Sequence, residues 1–262
     1  DLASALEHAG RFDEAEPKYL ESLEMRLFLL EPDHPSVLTV RNNLAGLYQK
    51  SGRAEESIPV YEDIIASYRR GDGGMRLAMT LSNYAVALVR SGRAEEAPAA
   101  LIESESIIES QTGSDNPMLA YPRQTLGDVY VRLDEPEKAE PWYREALDVR
   151  RAGLAPDHPS VAFSIAKLGE YYLSEGRLAE ARPLLEEARA LRAEILPEDH
   201  PDRVDSMIDI ARLNMRTGNP EEARRLLERA IEVGEEARGP DDGQVATARG
   251  YLDELNADGG SG

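Results

Sequence analysis

The chain has 262 residues, a formal net charge of -20 and no cysteine. Disulfides, thiolate metal sites and cysteine nucleophiles are thereby excluded, and so acidic a field repels a nucleic-acid backbone. No apolar run reaches the ~18 residues of an ordinary membrane helix, and the opening DLASALEHAG lacks the basic start and apolar stretch of a secretory signal. A cytoplasmic location without membrane insertion is the expectation.

Self-similarity organises everything else. GRFDEAEPKY, GRAEESIPVY, GRAEEAPAAL, DEPEKAEPWY, GRLAEARPLL and GNPEEARRLL begin at Gly10, Gly52, Gly92, Asp134, Gly176 and Gly218, at spacings of 42, 40, 42, 42 and 42 residues. A second phrase marks the other junction: PDHPS at 32–36 and 156–160, EDHPD at 198–202, and a degenerate SDNPM at 114–118. The short repeat carries Gly71-Asp72-Gly73-Gly74 there instead.

Each unit reads as two helices. The chain opens inside a first helix, since Leu2, Ala3 and Leu6 match Leu44, Ala45 and Tyr48; a natural repeat would begin about a dozen residues earlier, as in a piece of a longer protein. In the second repeat Val37, Val40, Leu44, Leu47 and Tyr48 recur at helical spacing. Ser51-Gly52-Arg53 then turns the chain, with glycine where a left-handed cap is expected. Ile58, Tyr61, Ile64 and Ile65 line one face of the helix that follows. At the boundary before this repeat Pro32 ends a helix, Asp33 or His34 can cap, and Pro35 fits a first turn. The hairpins fall near 1–31, 35–70, 75–111, 117–152, 159–195 and 201–238. A capping helix at 243–256 closes the single array and 257–262 is expected to be a flexible tail.

Two positions stay small: Ala3, Ala45, Ala85, Gly127, Gly169 and Ala211 in the first helices, and Ala15, Ser57, Ala97, Ala139, Ala181 and Ala223 in the second. Four residues after the second site stands a large side chain: Tyr19, Tyr61, Leu101, Tyr143, Leu185 or Leu227. Glycine inside a helix costs roughly 1 kcal/mol against alanine, so Gly127 and Gly169 imply close helix approach. In the last helix Asp253 takes the small site, as befits a cap.

The order Leu44, Ala45, Tyr48, Gly52, followed by small and aromatic sites such as Ala139, Tyr143 and Ala146, resembles the tetratricopeptide repeat. The 42-residue period, the DHP junction and RNNLAGLYQKSGR are similar to the longer variant of kinesin light chains, also common in bacterial signalling proteins. From Leu2 to about Asn256 the resemblance implies an all-α, right-handed solenoid of stacked antiparallel hairpins. It also implies a protein–protein interaction scaffold holding a peptide or partner protein along a concave groove of first helices. Carried onto this sequence, the groove comprises Asn42, Asn43, Gln49, Lys50, Asn83, Arg90, Tyr121, Gln124, Asp128, Arg132, Arg212 and Arg216. Other first-helix positions, among them Phe163, Lys167, Glu170, Asp205 and Asp209, complete it. The alternatives are a regulatory or sensor segment of a larger signalling protein and a homotypic assembly module joined through repeat ends.

Charge divides unevenly. Residues 35–51 and 75–91 each carry +2, whereas 93–110 carries -4, so the acid sits mainly on the second helices. Lys50, Arg90, Arg132 and Arg216 share one repeat phase, broken by Ser174. They either complement helix ends, at about 0.3–1 kcal/mol each, or line a groove for an acidic or carboxylate partner. No catalytic, metal or cofactor site is expected: His34, His158 and His200 sit one repeat or more apart, and convergent ligands are required. Glutamate pairs such as Glu55-Glu56 and Glu95-Glu96 open second helices, where negative charge suits the dipole.

Overall fold

A computed structural model of the chain describes residues 2–71 and 73–259, and among these every regular element is helical. Helices α1 (Leu2–His8) and α2 (Phe12–Leu29), α3 (Pro35–Lys50) and α4 (Ala54–Arg70), and α5 (Gly74–Arg90) and α6 (Ala97–Thr112) form three hairpins. Helices α7 (Ala120–Arg132), α8 (Pro136–Gly153), α9 (Pro159–Ser174), α10 (Leu178–Ile195), α11 (Pro201–Arg216) and α12 (Pro220–Arg238) continue the alternation. The last helix, α13 (Gly243–Gly259), runs past the expected end at Asn256. Residues 260–262 of the expected tail, and Asp72 of the short junction, lie outside the described residues. The chain divides into two compact units, Asp1–Trp142 and Tyr143–Gly262, in each of which helices pack mainly on their neighbours in sequence.

The junction phrase works as a cap. The side chains of His34, His158 and His200 accept, through Nδ1, the backbone N–H of Ser36, Ser160 and Asp202 at 3.1 Å. Asn116 does the same for Met118 N–H at 2.9 Å. Each cap is followed by proline at the first helical position, where a missing N–H costs nothing. The opposite turn needs a left-handed residue: Gly10, Gly52, Gly92, Gly176 and Gly218 have φ between 72° and 83°. Asp134 holds that position at φ 60° in the one repeat lacking the glycine.

Packing explains the fixed small sites. Ala45, Ala85 and Ala211 have no exposed surface, nor have Ala15, Ser57, Ala97, Ala139, Ala181 and Ala223. The large partners Tyr19, Tyr61, Leu101, Leu185 and Leu227 are at most 2% exposed. Ser57 tolerates burial because its hydroxyl donates to the Ala54 carbonyl at 2.6 Å. A Cβ built on Gly169 would lie 2.7 Å from Cδ2 and 2.9 Å from Cγ of Leu185, below any ordinary contact. In the first unit Trp142 packs against the cluster containing Leu101, Leu126 and Val129.

One inter-repeat device is invisible to hydropathy. Arg26, Arg150 and Arg192 share a phase near the end of the second helix and reach the start of the next first helix. Arg26 donates to the Ser36 carbonyl at 2.9 Å, and Arg150 to Ser164 Oγ. Arg192 donates to the Asp202 carbonyl at 3.0 Å and to Ser206 Oγ at 2.9 Å. Arg192 is 2% exposed, and burial lowers the pKa of Arg150. A buried guanidinium needs such partners.

Gly169→Ala is expected to destabilise the fold. The gain in helix propensity of about 1 kcal/mol is smaller than the ~1–3 kcal/mol of overpacking against Leu185. A lower thermal midpoint would show it, and a raised midpoint would contradict it. Arg192→Met is expected to cost about 1–3 kcal/mol through the two lost hydrogen bonds, read as faster amide exchange at the start of α11. Unchanged exchange would remove the proposed stabilising role of these bonds.

Candidate functional site

The first unit holds a pocket of about 410 Å³ between the first helices α1, α3 and α5, with Tyr121 of α7 at its rim and Tyr19 and Tyr61 among its walls. Asn42, Asn43, Gly46, Gln49 and Lys50 of α3 and Asn83, Val86 and Arg90 of α5, all between ten and two residues before a helix-turn glycine, reach it from neighbouring first helices. Seven of the residues expected in a groove converge here: Asn42, Asn43, Gln49, Lys50, Asn83, Arg90 and Tyr121. Gln124, Asp128 and Arg132 do not line the pocket; Gln124 is buried, whereas Asp128 and Arg132 are exposed.

Two networks set the shape of the pocket. Glu7, whose side chain is only 8% exposed, receives Lys50 Nζ at 2.7 Å on one oxygen and the Tyr19 hydroxyl at 2.7 Å on the other. Burial, reinforced by this carboxylate, pushes the Tyr19 phenol up to about 12. Gln49 is buried, and its Nε2 donates to both Tyr61 Oη and the Asn83 carbonyl at 3.0 Å. Burial also raises the pKa of Tyr61, although the Gln49 contact opposes the shift. Gln49 is therefore a strut between hairpins. Glu7, Tyr19 and Tyr61 were not among the expected groove residues. Tyr19 and Tyr61 stand at the large packing phase, whereas Glu7 shares the phase of Gln49, and that groove signal could have found it.

The cation row is largely engaged. Lys50 is held by Glu7, and Arg90 donates to the Gln49 carbonyl at 3.2 Å, in the last turn of the preceding first helix. Arg216 repeats this across the second unit, donating to the Leu173 carbonyl at the end of α9. By contrast, Asn42, Asn43 and Asn83 line the pocket half-buried, and among the described residues their carboxamides have no hydrogen-bond partner. Each amide can donate and accept at once. The Tyr121 ring is 47% exposed beside them, its phenol raised by partial burial.

At the phase that Asn43 and Asn83 share the second unit is charged, and at the phase of Asn42 it carries Ala166 and Ile208. Lys167 and Asp209 stand where Asn43 and Asn83 do, and a separate pocket of about 240 Å³ is lined by Lys167, Glu170, Asp205, Asp209, Arg212 and Tyr251 among others. Lys167 pairs with Glu170 at 2.9 Å, and Arg212 with Asp209 at 3.3 Å. Burial first, then the Glu170 charge, raises the Asp209 carboxyl to about 7. The glutamates that open second helices are paired on the surface, as in Arg93–Glu96 at 2.6 Å and Arg225–Glu222 at 2.5 Å. Exposed pairs of this kind contribute little. No group of three metal-ligating side chains occurs among the described residues, and no described helix is long and apolar enough to cross a membrane.

The tetratricopeptide repeat family model matches residues 1–70, 76–152, 132–194 and 160–236. No curated protein matches the sequence. Among solved structures, a Podosopora anserina putative kinesin light chain with nearly identical TPR-like repeats is 25% identical, with a TM-score of 0.66 over 78% of this chain and 98% of that one. BtubC (BKLC) from P. vanneervenii is 20% identical, covering 87% and 92% of the two chains with a TM-score of 0.72. A Rap protein complexed with Competence and Sporulation Factor is 13% identical, covering 98% and 73%, with a TM-score of 0.66. Its repeats place the chain in a fold that is generally a non-catalytic protein-interaction module, and it belongs to the tetratricopeptide repeat family.

Proposed function

We propose that the protein is an interaction scaffold that holds an extended peptide segment of its partner in the pocket of the first unit. The observation carrying this reading is the set of three half-buried carboxamides, Asn42, Asn43 and Asn83, without internal partners. A polar group held half-desolvated and unpaired gains most from a ligand that both donates and accepts. An extended backbone offers that pairing at every residue, and the Tyr121 ring supplies a flat wall for one side chain. The Rap neighbour, complexed with a factor of its own, supports peptide or protein capture by this fold. The engagement of Lys50 and Arg90 with Glu7 and the Gln49 carbonyl favours backbone recognition over recognition of acidic side chains.

A second reading, homotypic association, is favoured by one surface. On α2, Met25, Phe28 and Leu29 are 60%, 88% and 75% exposed. At the same phases the second hairpin has Ser67 and Arg70 on α4 and Gly71 just past its end. Apolar side chains grouped in water mark contact surfaces.

A peptide selected from a random library on the wild-type protein is the probe for both electrostatic and amide recognition. Replacing Asn42, Asn43 and Asn83 together by alanine is expected to weaken it at least tenfold, roughly 1.4 kcal/mol, with helical circular dichroism unchanged. The Lys50/Arg90/Arg132 triple alanine variant is expected to weaken it by less than about threefold, with little change in salt dependence. Equal affinity of the asparagine variant and wild type would overturn the pocket. A large, salt-dependent loss in the charge variant would transfer the site to an acidic ligand. Light scattering tests association: a Phe28→Ser variant is expected to lower the apparent mass at high concentration, and a wild-type mass independent of concentration would remove the second reading.

A further inference from the structure

Glycine weakens the interior of a helix relative to alanine, so each one held there calls for a reason. The turn glycines have one in their left-handed backbone. Gly169 and Gly234 have another, since a Cβ on either would lie 2.7 Å from a side chain of a neighbouring helix. Gly46, in the middle of α3, has neither. Its φ is not positive, and a Cβ built on it would meet nothing within 4 Å. Gly250 of α13 shares this freedom but is exposed, whereas Gly46 is half-buried and lines the pocket of the first unit.

The pocket is built in rows because α1, α3 and α5 present the same phases to it. Asn43 and Asn83 form one row and His8, Lys50 and Arg90 another; at the phase between them stand Ser4, Gly46 and Val86. Later repeats carry Asp128, Glu170 and Arg212 at that middle phase. Glycine at 46 therefore removes a side chain from the middle row, where every sister repeat has one. On α3 itself the polar groups one turn further on are already matched. Lys50 is paired with Glu7 at 2.7 Å, and Gln49 is spent on Tyr61 and the Asn83 carbonyl. One turn the other way, the carboxamides of Asn42 and Asn43 have no hydrogen-bond partner among the described residues.

We propose that Gly46 is the specificity-determining residue of this pocket: its missing side chain leaves a hole that takes one bulky, uncharged side chain of the bound peptide, while Asn42, Asn43 and Asn83 hold the main chain beside it. The inference rests on the peptide-holding reading above and adds the side chain that is read. The helix is weakened at 46 to keep this room, which no other part of the protein fills. A charged side chain would be drawn partly out of water at a place where the charge on α3 is already matched by Glu7, and its lost hydration would go uncompensated.

The probe is the library-selected peptide, measured on the wild type, Gly46→Ala, Gly46→Leu and the triple asparagine variant. Gly46→Ala is expected to raise the thermal midpoint of the free protein by about 2 °C, because only helix propensity changes, and to weaken the peptide about threefold. Gly46→Leu, which fills the hole with a good helix former, is expected to weaken it at least tenfold. A peptide cut back to alanine at a single position is then expected to bind Gly46→Leu at least tenfold better than the intact peptide does. Glutamate or lysine at that same position is expected to weaken binding to the wild type at least tenfold. Undiminished binding to both glycine variants, a loss that no single truncation relieves, a lowered midpoint for Gly46→Ala, or tolerance of the charged peptides would overturn the inference. The asparagine variant separates the two readings. If it is weakened while the glycine variants bind normally, the pocket stands without the hole; if it binds normally, the pocket falls and this inference with it.

Discussion

The fold depends on one steric constraint: a side chain is almost absent where successive helices cross. Ala45, Ala85 and Ala211, with Gly169, let neighbouring helices approach, and Tyr19, Tyr61, Leu101, Leu185 and Leu227 fill the space created. Each lock joins only adjacent helices, so stability accumulates along the chain instead of residing in a central core. The same close approach brings first helices near enough for their polar side chains to form one surface. In the first unit α1, α3 and α5 share the walls of a single pocket.

Electrostatics is organised around that steric frame. A chain of net charge -20 folds because much of its acid sits on second helices, in water, beside arginines three or four residues away. Arg11–Glu14, Arg93–Glu96, Arg177–Glu180 and Arg225–Glu222 recur at the helix turns. Such exposed pairs contribute little each, yet they keep like charges from accumulating unscreened. The costly charges are the buried ones. Buried Arg150 and Arg192, and half-buried Arg26, are accommodated by carbonyl or hydroxyl oxygens of the next hairpin, and Glu7 by Lys50 and Tyr19.

Much of this was legible in the sequence because it repeats. Glycine or Asp134 at the turn, proline after a capping histidine, and small against large residues are local demands of backbone geometry, and each occurs several times. The site was legible in part. Phase alone put Asn42, Asn43, Asn83 and Arg90 on one surface, and the structure brings them together with Tyr121. Phase could not show that Gln49 is spent on Tyr61 and the Asn83 carbonyl, or that Arg90 and Arg216 cap the preceding helix. Those contacts join residues 12 to 43 positions apart and depend on rotamers, which periodicity does not encode. Nor could it show Asp209 as unusual, since burial by Tyr251 and its neighbours comes from a helix a repeat later.

The functional picture therefore rests on a contrast between unpaired neutral amides in the first unit and engaged charges elsewhere. Site-specific photo-crosslinking separates these surfaces most directly. A photoreactive residue placed at Asn43, with a second version at Ala66 on the opposite, outer helix surface, is irradiated with the bound partner. Crosslinking from position 43 and none from position 66 is the expected result; crosslinking from position 66 alone would contradict partner capture in the first-helix pocket.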